Sequence, residues 1–207
     1  MRIPASFPSK IRTVEHFWIT LKDGCRLAAR MWLPADAETR PVPAVLEYIP
    51  YRKRDGTRGR DEPMHGYFAG HGYAAIRVDM RGSGESDGVL QDEYLQLELD
   101  DAVEVIDWIA RQPWSDGRVG MYGGSYAGFT AWAAAKRRPG ALKGIMVGAP
   151  AAPGIDVPME GNIFLNFLYP WPFYTTNNRW LDNATYSDNA RWARLNRMSR
   201  CSDSIDW

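Results

Sequence analysis

The alternation of short apolar runs with helical patterns limits this chain's fold more than any other feature. Pro43–Tyr48, Tyr73–Met80 (YAAIRVDM), Arg118–Tyr122 (RVGMY) and Lys143–Gly148 (KGIMVG) read as buried strands. After the second run, Leu95, Leu99, Ala102, Val103, Ile106 and Ile109-Ala110 recur at steps of three or four. That spacing puts them on one face of a helix over Leu95 to Arg111, ended by Pro113. The Ala-rich stretch Tyr126–Arg138 predicts a second helix, stopped by Pro139-Gly140. Ahead of all these, His16–Thr20 and Leu27–Leu33 flank Lys22-Asp23-Gly24, a hairpin signal. An antiparallel start followed by strand–helix alternation predicts an α/β fold, a mostly parallel sheet with helices on both faces.

Composition sets the outer limits. The 207 residues suffice for one good core, and an apolar share of 45% with 9 Trp and 10 Tyr excludes a disordered chain. Lys plus Arg number 25 and Asp plus Glu 25, which leaves no long-range field for nucleic acid or an anionic membrane. The local run Arg52-Lys53-Arg54 sits among acidic residues and reads as a solvated loop. Cys25 and Cys201 make no disulfide framework and no C-x-x-C, which points to a reducing compartment. Met1–Pro8 has no apolar signal-peptide core and no run approaches ~18 apolar residues, so the expectation is a soluble, cytoplasmic protein. Past Pro150 strand signals give way to Pro, Trp, Tyr and Asn. We therefore expect residues 1–150 to form the amino-terminal part of the core and 151–207 to begin a helical cap or insertion, with a short amphipathic helix over Met159–Tyr169.

Two serines compete as nucleophile. The strict G-x-S-x-G pattern occurs once, at Gly84-Glu85-Ser86-Asp87-Gly88. Ser125, in Gly123-Gly124-Ser125-Tyr126-Ala127-Gly128, has its second glycine one residue late. Context favours Ser125 all the same. It follows the strand RVGMY and opens the helix YAGFTAWAAAKRR, which is the strand–turn–helix of a nucleophile elbow, with helix N-terminal N–H groups beside the hydroxyl. Ser86 lies several residues past its strand in a long polar loop. That loop also lacks the G-x-x-x-x-G-K-[ST] of a phosphate-binding loop.

With these residues in view, Gly123–Gly128 resembles the G-x-S-Y-x-G elbow of the X-prolyl dipeptidyl-peptidase-like serine hydrolases, which include cocaine esterase and α-amino acid ester hydrolase relatives. Asp79-Met80-Arg81-Gly82-Ser83-Gly84-Glu85-Ser86-Asp87-Gly88 is similar to that family's D-x-R-G-x-G-x-S-x-G segment, and Ile49-Pro50-Tyr51-Arg52-Lys53-Arg54 to its P-Y-x-K segment. The resemblance implies an α/β-hydrolase core, a helical cap and a carboxyl-terminal jelly-roll. It implies acyl transfer from a small ester, amide or peptide substrate, with no cofactor and no metal. By position it assigns Ser125 as nucleophile, with the Tyr126 backbone N–H and the Tyr51 hydroxyl as oxyanion donors. It makes Ser86 part of a structural loop.

In this fold the triad runs Ser, Asp, His. His16, His65 and His71 all precede Ser125, and none follows it. His71 stands just before the strand YAAIRVDM, whose eight residues at about 3.3 Å each place it roughly 26 Å from the carboxyl ends of the parallel strands. His16 falls on the hairpin and His65 in the connection before that strand, so all three read as structural or solvated. Asp156, Asp182, Asp188, Asp203 and Asp206 fall in the cap-like region and none follows a strand, so none is assigned as the triad acid. The reading is an incomplete serine hydrolase chain whose triad Asp and His are not among these residues. Its alternatives are a non-catalytic remnant or binding module of the same fold and a prolyl-oligopeptidase-like peptidase. An apolar sheet edge at KGIMVG, prone to association, is expected with it. The aromatic stretch Phe164–Tyr174 reads as cap core ahead of a substrate pocket.

Overall fold

A computed structural model describes residues 7–54, 56–90 and 93–150, and the backbone of 159–160 and 163–164. The Asp-Gly turn closes strand β1 (Ile11–Thr20) onto β2 (Arg26–Pro34), with Gly24 at φ +86° in the left-handed region that the turn demands. The remaining strands are β3 (Val42–Ile49), β4 (Ala74–Asp79), β5 (Ser115–Gly124) and β6 (Leu142–Gly148). They join the hairpin in one sheet of order β1-β2-β4-β3-β5-β6. β1, β2 and β4 pair antiparallel, whereas β4, β3, β5 and β6 pair parallel. Each strand anticipated from the apolar runs is present, within a few residues at its ends. The helix expected from Leu95 is α2 (Gln96–Ala110), and the Ala-rich one is α3 (Tyr126–Lys136).

The two faces of the sheet are built from different chemistry. α2 and α3 cover one face. There Leu46, Tyr48, Ile76, Val78 and Met121 meet Ala102, Val105, Ile106, Ile109, Ala131 and Ala134 in a hydrocarbon core. The alternate residues Glu47, Arg77 and Tyr122 point the other way, toward α1 (Arg58–Gly70). α1 carries no apolar stripe, and Gly59, Pro63 and Gly66 interrupt it, so its helical character is hidden in the sequence. Its inward residues are Asp61, His65, Ala69 and Gly70. It docks through charge: Arg77 Nε lies 3.2 Å from Asp61 Oδ2 and 3.6 Å from Glu47 Oε2, and Arg60 Nη2 lies 2.6 Å from Glu47 and 2.7 Å from Asp61. Removing one member of such a network would leave a buried charge without its counterion, a loss of about 3–5 kcal/mol.

Two expectations are corrected here. The run Arg52-Lys53-Arg54 is not solvated: Arg52 is 8% and Lys53 1% exposed, because Lys53 and Arg54 turn in to Glu85 and the Lys53 N–H turns in to Asp79. Buried carboxylates, invisible in the local charge count, draw them inside. The short helix expected over Met159–Tyr169 is also not found where the backbone is described. Met159–Glu160 (β7) and Ile163–Phe164 (β8) pair antiparallel, which a helix through these residues excludes. The rest of the expected cap, including Cys201, lies outside the described residues. Among those described, β6 is the last strand of the large sheet, and its Ile145 and Met146 are 36% and 63% exposed. No described helix is long and apolar enough to cross a membrane.

Candidate active site

Ser125 stands between the end of β5 and the start of α3 with φ 55° and ψ −122°. A side chain at positive φ costs energy that the surrounding structure must offset, and such strain is what lifts a hydroxyl clear of a sheet. Ser125 is exposed, while Tyr122, Gly123 and Tyr126 around it are buried. The glycines explain the late pattern. A Cβ on Gly123 would lie 2.1 Å from the Ala127 Cβ, so the glycine before the serine gives the helix room and the position two after it can be alanine. Gly128 faces a different neighbour, with its missing Cβ 3.1 Å from the Gly148 carbonyl on β6.

The N–H groups at this turn are divided. Ser125 N–H donates to Gly148 O at 2.9 Å, so it is occupied in holding β6. Tyr126 is the first residue of α3, where an N–H has no intrahelical partner, and it adds the positive end of the helix dipole beside the serine. The Tyr126 side chain is fixed inside. Its hydroxyl hydrogen faces both Glu98 oxygens at 3.0 and 2.9 Å, and its oxygen accepts the Tyr94 N–H at 3.2 Å. Its ring stacks on Tyr94 at 4.7 Å and meets the Tyr51 ring edge-on at 6.3 Å. Burial drives the Glu98 carboxyl up to about 7 against the opposing Tyr126 hydrogen bond, and burial and the Glu98 charge raise the Tyr126 phenol.

Tyr51 lies two residues past the end of β3, the strand beside β5, and is half-buried. The structure thus brings the Tyr51 and Tyr126 rings into edge contact, Tyr126 being the residue after Ser125. It does not bring Ser86 there. Ser86 is fully buried, donates its hydroxyl to Asp79 O at 2.7 Å and accepts the Ala28 N–H at 2.9 Å.

The three histidines are engaged elsewhere. His65 is buried on α1, stacked on Trp32 at 4.6 Å, with Nδ1 3.1 Å from Asp61 O and Nε2 3.1 Å from the Tyr122 hydroxyl. Burial lowers it to about 4, so the ring is neutral. His16 sits 3.2 Å from Lys53 Nζ and 3.7 Å from Glu85, and His71 caps α1 with Nδ1 2.8 Å from Tyr67 O. Burial would raise Glu85, but His16, Lys53 and Arg54 prevail and hold it down at about 2. Ligand atoms of Glu47, Asp61 and His65 lie within 4.8 Å of one another, a spacing that suits a metal ion. Arg60 and Arg77 already hold both carboxylates, and their charge opposes a cation there. Asp156, Asp182, Asp188, Asp203, Asp206 and most of Phe164–Tyr174 lie outside the described residues. Sequence reasoning passed over Glu98. Its signal was an acidic residue on the apolar face of α2, three before Asp101 and four before Ala102.

Comparison with known proteins identifies the family and the fold. The family described as X-Pro dipeptidyl-peptidase (S15 family) matches residues 23–205. The chain is 37% identical to the cocaine esterase of a Rhodococcus species over 142 residues, 67% of this chain and 23% of that protein. It spans about a fifth of the length of the curated relatives it matches. Among solved structures it superposes on an α-amino acid ester hydrolase at a TM-score of 0.58 and 28% identity, over 75% of this chain and 28% of the other. It superposes on a CocE/NonD family hydrolase from Staphylococcus aureus at 0.57 and 28% identity, over 64% and 26%.

Proposed function

The chain belongs to the X-Pro dipeptidyl-peptidase (S15) family of hydrolases, and from that premise we propose that it carries the nucleophile and oxyanion donors of an acyl transfer to Ser125. The observation that carries the reading is the backbone of Ser125, a non-glycine residue held at φ 55° with an exposed hydroxyl at a helix N-terminus. The Ser125 oxygen attacks the carbonyl of a small ester, amide or peptide as its proton passes to solvent water. The resulting oxyanion takes hydrogen bonds from the Tyr126 N–H and the Tyr51 hydroxyl. Collapse expels the alcohol or amine, protonated from solvent, and leaves an acyl-enzyme, which water then hydrolyses to release the acid and restore the serine hydroxyl. His16, His65 and His71 are committed to other partners, so none of them serves as the base that accepts the serine proton.

A serine without its base loses about 10⁶ in rate and keeps about 10³–10⁴ over water from the oxyanion hole and binding. The 207-residue chain is therefore expected to react slowly with a fluorophosphonate and to turn over p-nitrophenyl acetate slowly. The labelling should vanish in Ser125→Ala, whereas the slow hydrolysis supported by the oxyanion hole persists. Fast labelling of the unaltered chain would show that a base is present after all, and labelling that survives in Ser125→Ala would remove Ser125 as nucleophile. A chain with no Ser125-dependent reaction at all would be a binding module that keeps only the fold.

A further inference from the structure

Tyr51 can serve an oxyanion only if its loop is held still, and that loop rests on a carboxylate. Asp79 closes β4 and is fully buried. Its Oδ1 accepts the Lys53 N–H at 2.7 Å, its Oδ2 accepts the Glu85 N–H at 3.3 Å, and its carbonyl accepts the Ser86 hydroxyl at 2.7 Å. One residue thus ties the turn that carries Tyr51 to the glycine-rich loop after β4. Arg77 reinforces the joint, with Nη1 3.7 Å from Asp79 Oδ1 and hydrogen bonds to the carbonyls of Ile49 at 3.2 Å and Val78 at 2.7 Å.

The turn needs holding. Arg52, between Tyr51 and Lys53, has φ 56°, a conformation a residue with a Cβ keeps only when its surroundings over-determine it. The Lys53 N–H to Asp79 bond is the fixed point immediately after that strained residue. Gly56 closes the turn from behind: its N–H donates to Arg52 O at 3.0 Å, and a Cβ there would lie 2.1 Å from Tyr51 O. Gly84 is equally tight on the other side, since a Cβ at its φ of +54° would lie 2.1 Å from Asp79 Oδ2.

We propose that Asp79 is the positioning residue of Tyr51, presetting the phenol for the oxyanion through the Lys53 N–H; this rests on reading Tyr51 as an oxyanion donor. Asp79 has no part in the backbone bonds of Ser125, which run to Gly148 and Phe129. Its effect on the reacting centre therefore passes through Tyr51. The charge pattern requires a carboxylate. Two N–H groups arrive at its two oxygens, and an asparagine side chain in the same place would turn its own NH₂ toward one of them.

The test is equilibrium binding of phenylboronic acid by titration calorimetry. The Ser125 oxygen adds to boron and its proton goes to solvent. The boron becomes a tetrahedral anion with one oxygen in the oxyanion hole. No general base is needed at equilibrium. Ser125→Ala should abolish binding, and Tyr51→Phe should weaken it about tenfold, as expected for one lost charge-assisted hydrogen bond. Asp79→Asn should weaken it by a similar factor, and Tyr51→Phe/Asp79→Asn should bind within about twofold of Tyr51→Phe alone. Unaltered affinity in Asp79→Asn, or losses that multiply in the double variant, would overturn the positioning role while leaving the catalytic reading intact. Failure of the parent chain to bind, or indifference to Ser125→Ala or Tyr51→Phe, would instead overturn the catalytic reading and this inference with it. Should Asp79→Asn show no cooperative melting transition, Gly84→Ala, which crowds the same carboxylate from a position remote from Ser125, is judged by the same two criteria.

Discussion

Ser86 and Ser125 both sit among glycines at the carboxyl ends of parallel strands, and the chain treats them in opposite ways. The Ser86 hydroxyl is inaccessible and saturated, donating to Asp79 O and accepting from Ala28 N–H. The Ser125 hydroxyl is exposed on strained backbone, with a helix opening behind it. A hydroxyl with both roles filled by backbone groups is a staple between loops. An exposed serine on strained backbone at a helix N-terminus is the one we propose as nucleophile. The pattern G-x-S-x-G belongs to the staple here, so glycine spacing alone does not identify a nucleophile.

The contrast can be broken in four places. The largest expected effect is on reactivity. Ser125→Ala should abolish fluorophosphonate labelling, while the about 10³–10⁴ over water that the oxyanion hole and binding supply persists, and should leave the melting temperature nearly unchanged; Ser86→Ala should keep the labelling and lower the melting temperature. Next is Gly123→Ala. Its Cβ would meet that of Ala127 at 2.1 Å, and prising α3 from β5 should cost about 3 kcal/mol in urea unfolding and abolish phosphonate labelling. Of similar size is the pH dependence set by Glu98. Its folded carboxyl sits at about 7 against an ordinary 4.5, so the folded state binds more protons between those values. Glu98 therefore lowers stability as pH rises from 4.5 to 7, by at most about 3 kcal/mol. Burial also raises Asp79, Asp101 and Glu47, which slope the same way, so the Glu98 share is read as the difference between the parent and Glu98→Gln melting curves. That difference should favour Glu98→Gln above pH 7 and disappear below 4.5. The smallest expected effect is the stability loss in Ser86→Ala, about 2 kcal/mol for leaving the Ala28 N–H and Asp79 carbonyl short of a partner.

The parts of this molecule that bury hydrocarbon were legible in the sequence, and the parts that bury charge were not. β3 to β6, α2 and α3 announce themselves because Leu, Ile, Val and Ala repeat at the period of the element they form. α1 has no such repeat, since it docks through Asp61 and Arg60 onto Arg77 and Glu47, and its Gly and Pro residues read as loop. Lys53 misled for the same reason: a lysine looks solvated unless Glu85, far along the chain, is known to face it. Within the candidate site, the Ser125 elbow was visible from strand–helix context. The role of Asp79 was not, because it depends on which backbone N–H groups converge on one side chain, a matter of tertiary geometry.

The central claim is that Ser125, and not Ser86, is the reactive serine. The most direct measurement is prolonged incubation of the 207-residue chain with a fluorophosphonate, proteolysis, and mass-spectrometric location of the adduct. A slowly accumulating phosphonyl group on Ser125 alone is the predicted result. An adduct on Ser86, or none on Ser125 after exhaustive treatment, would contradict the account.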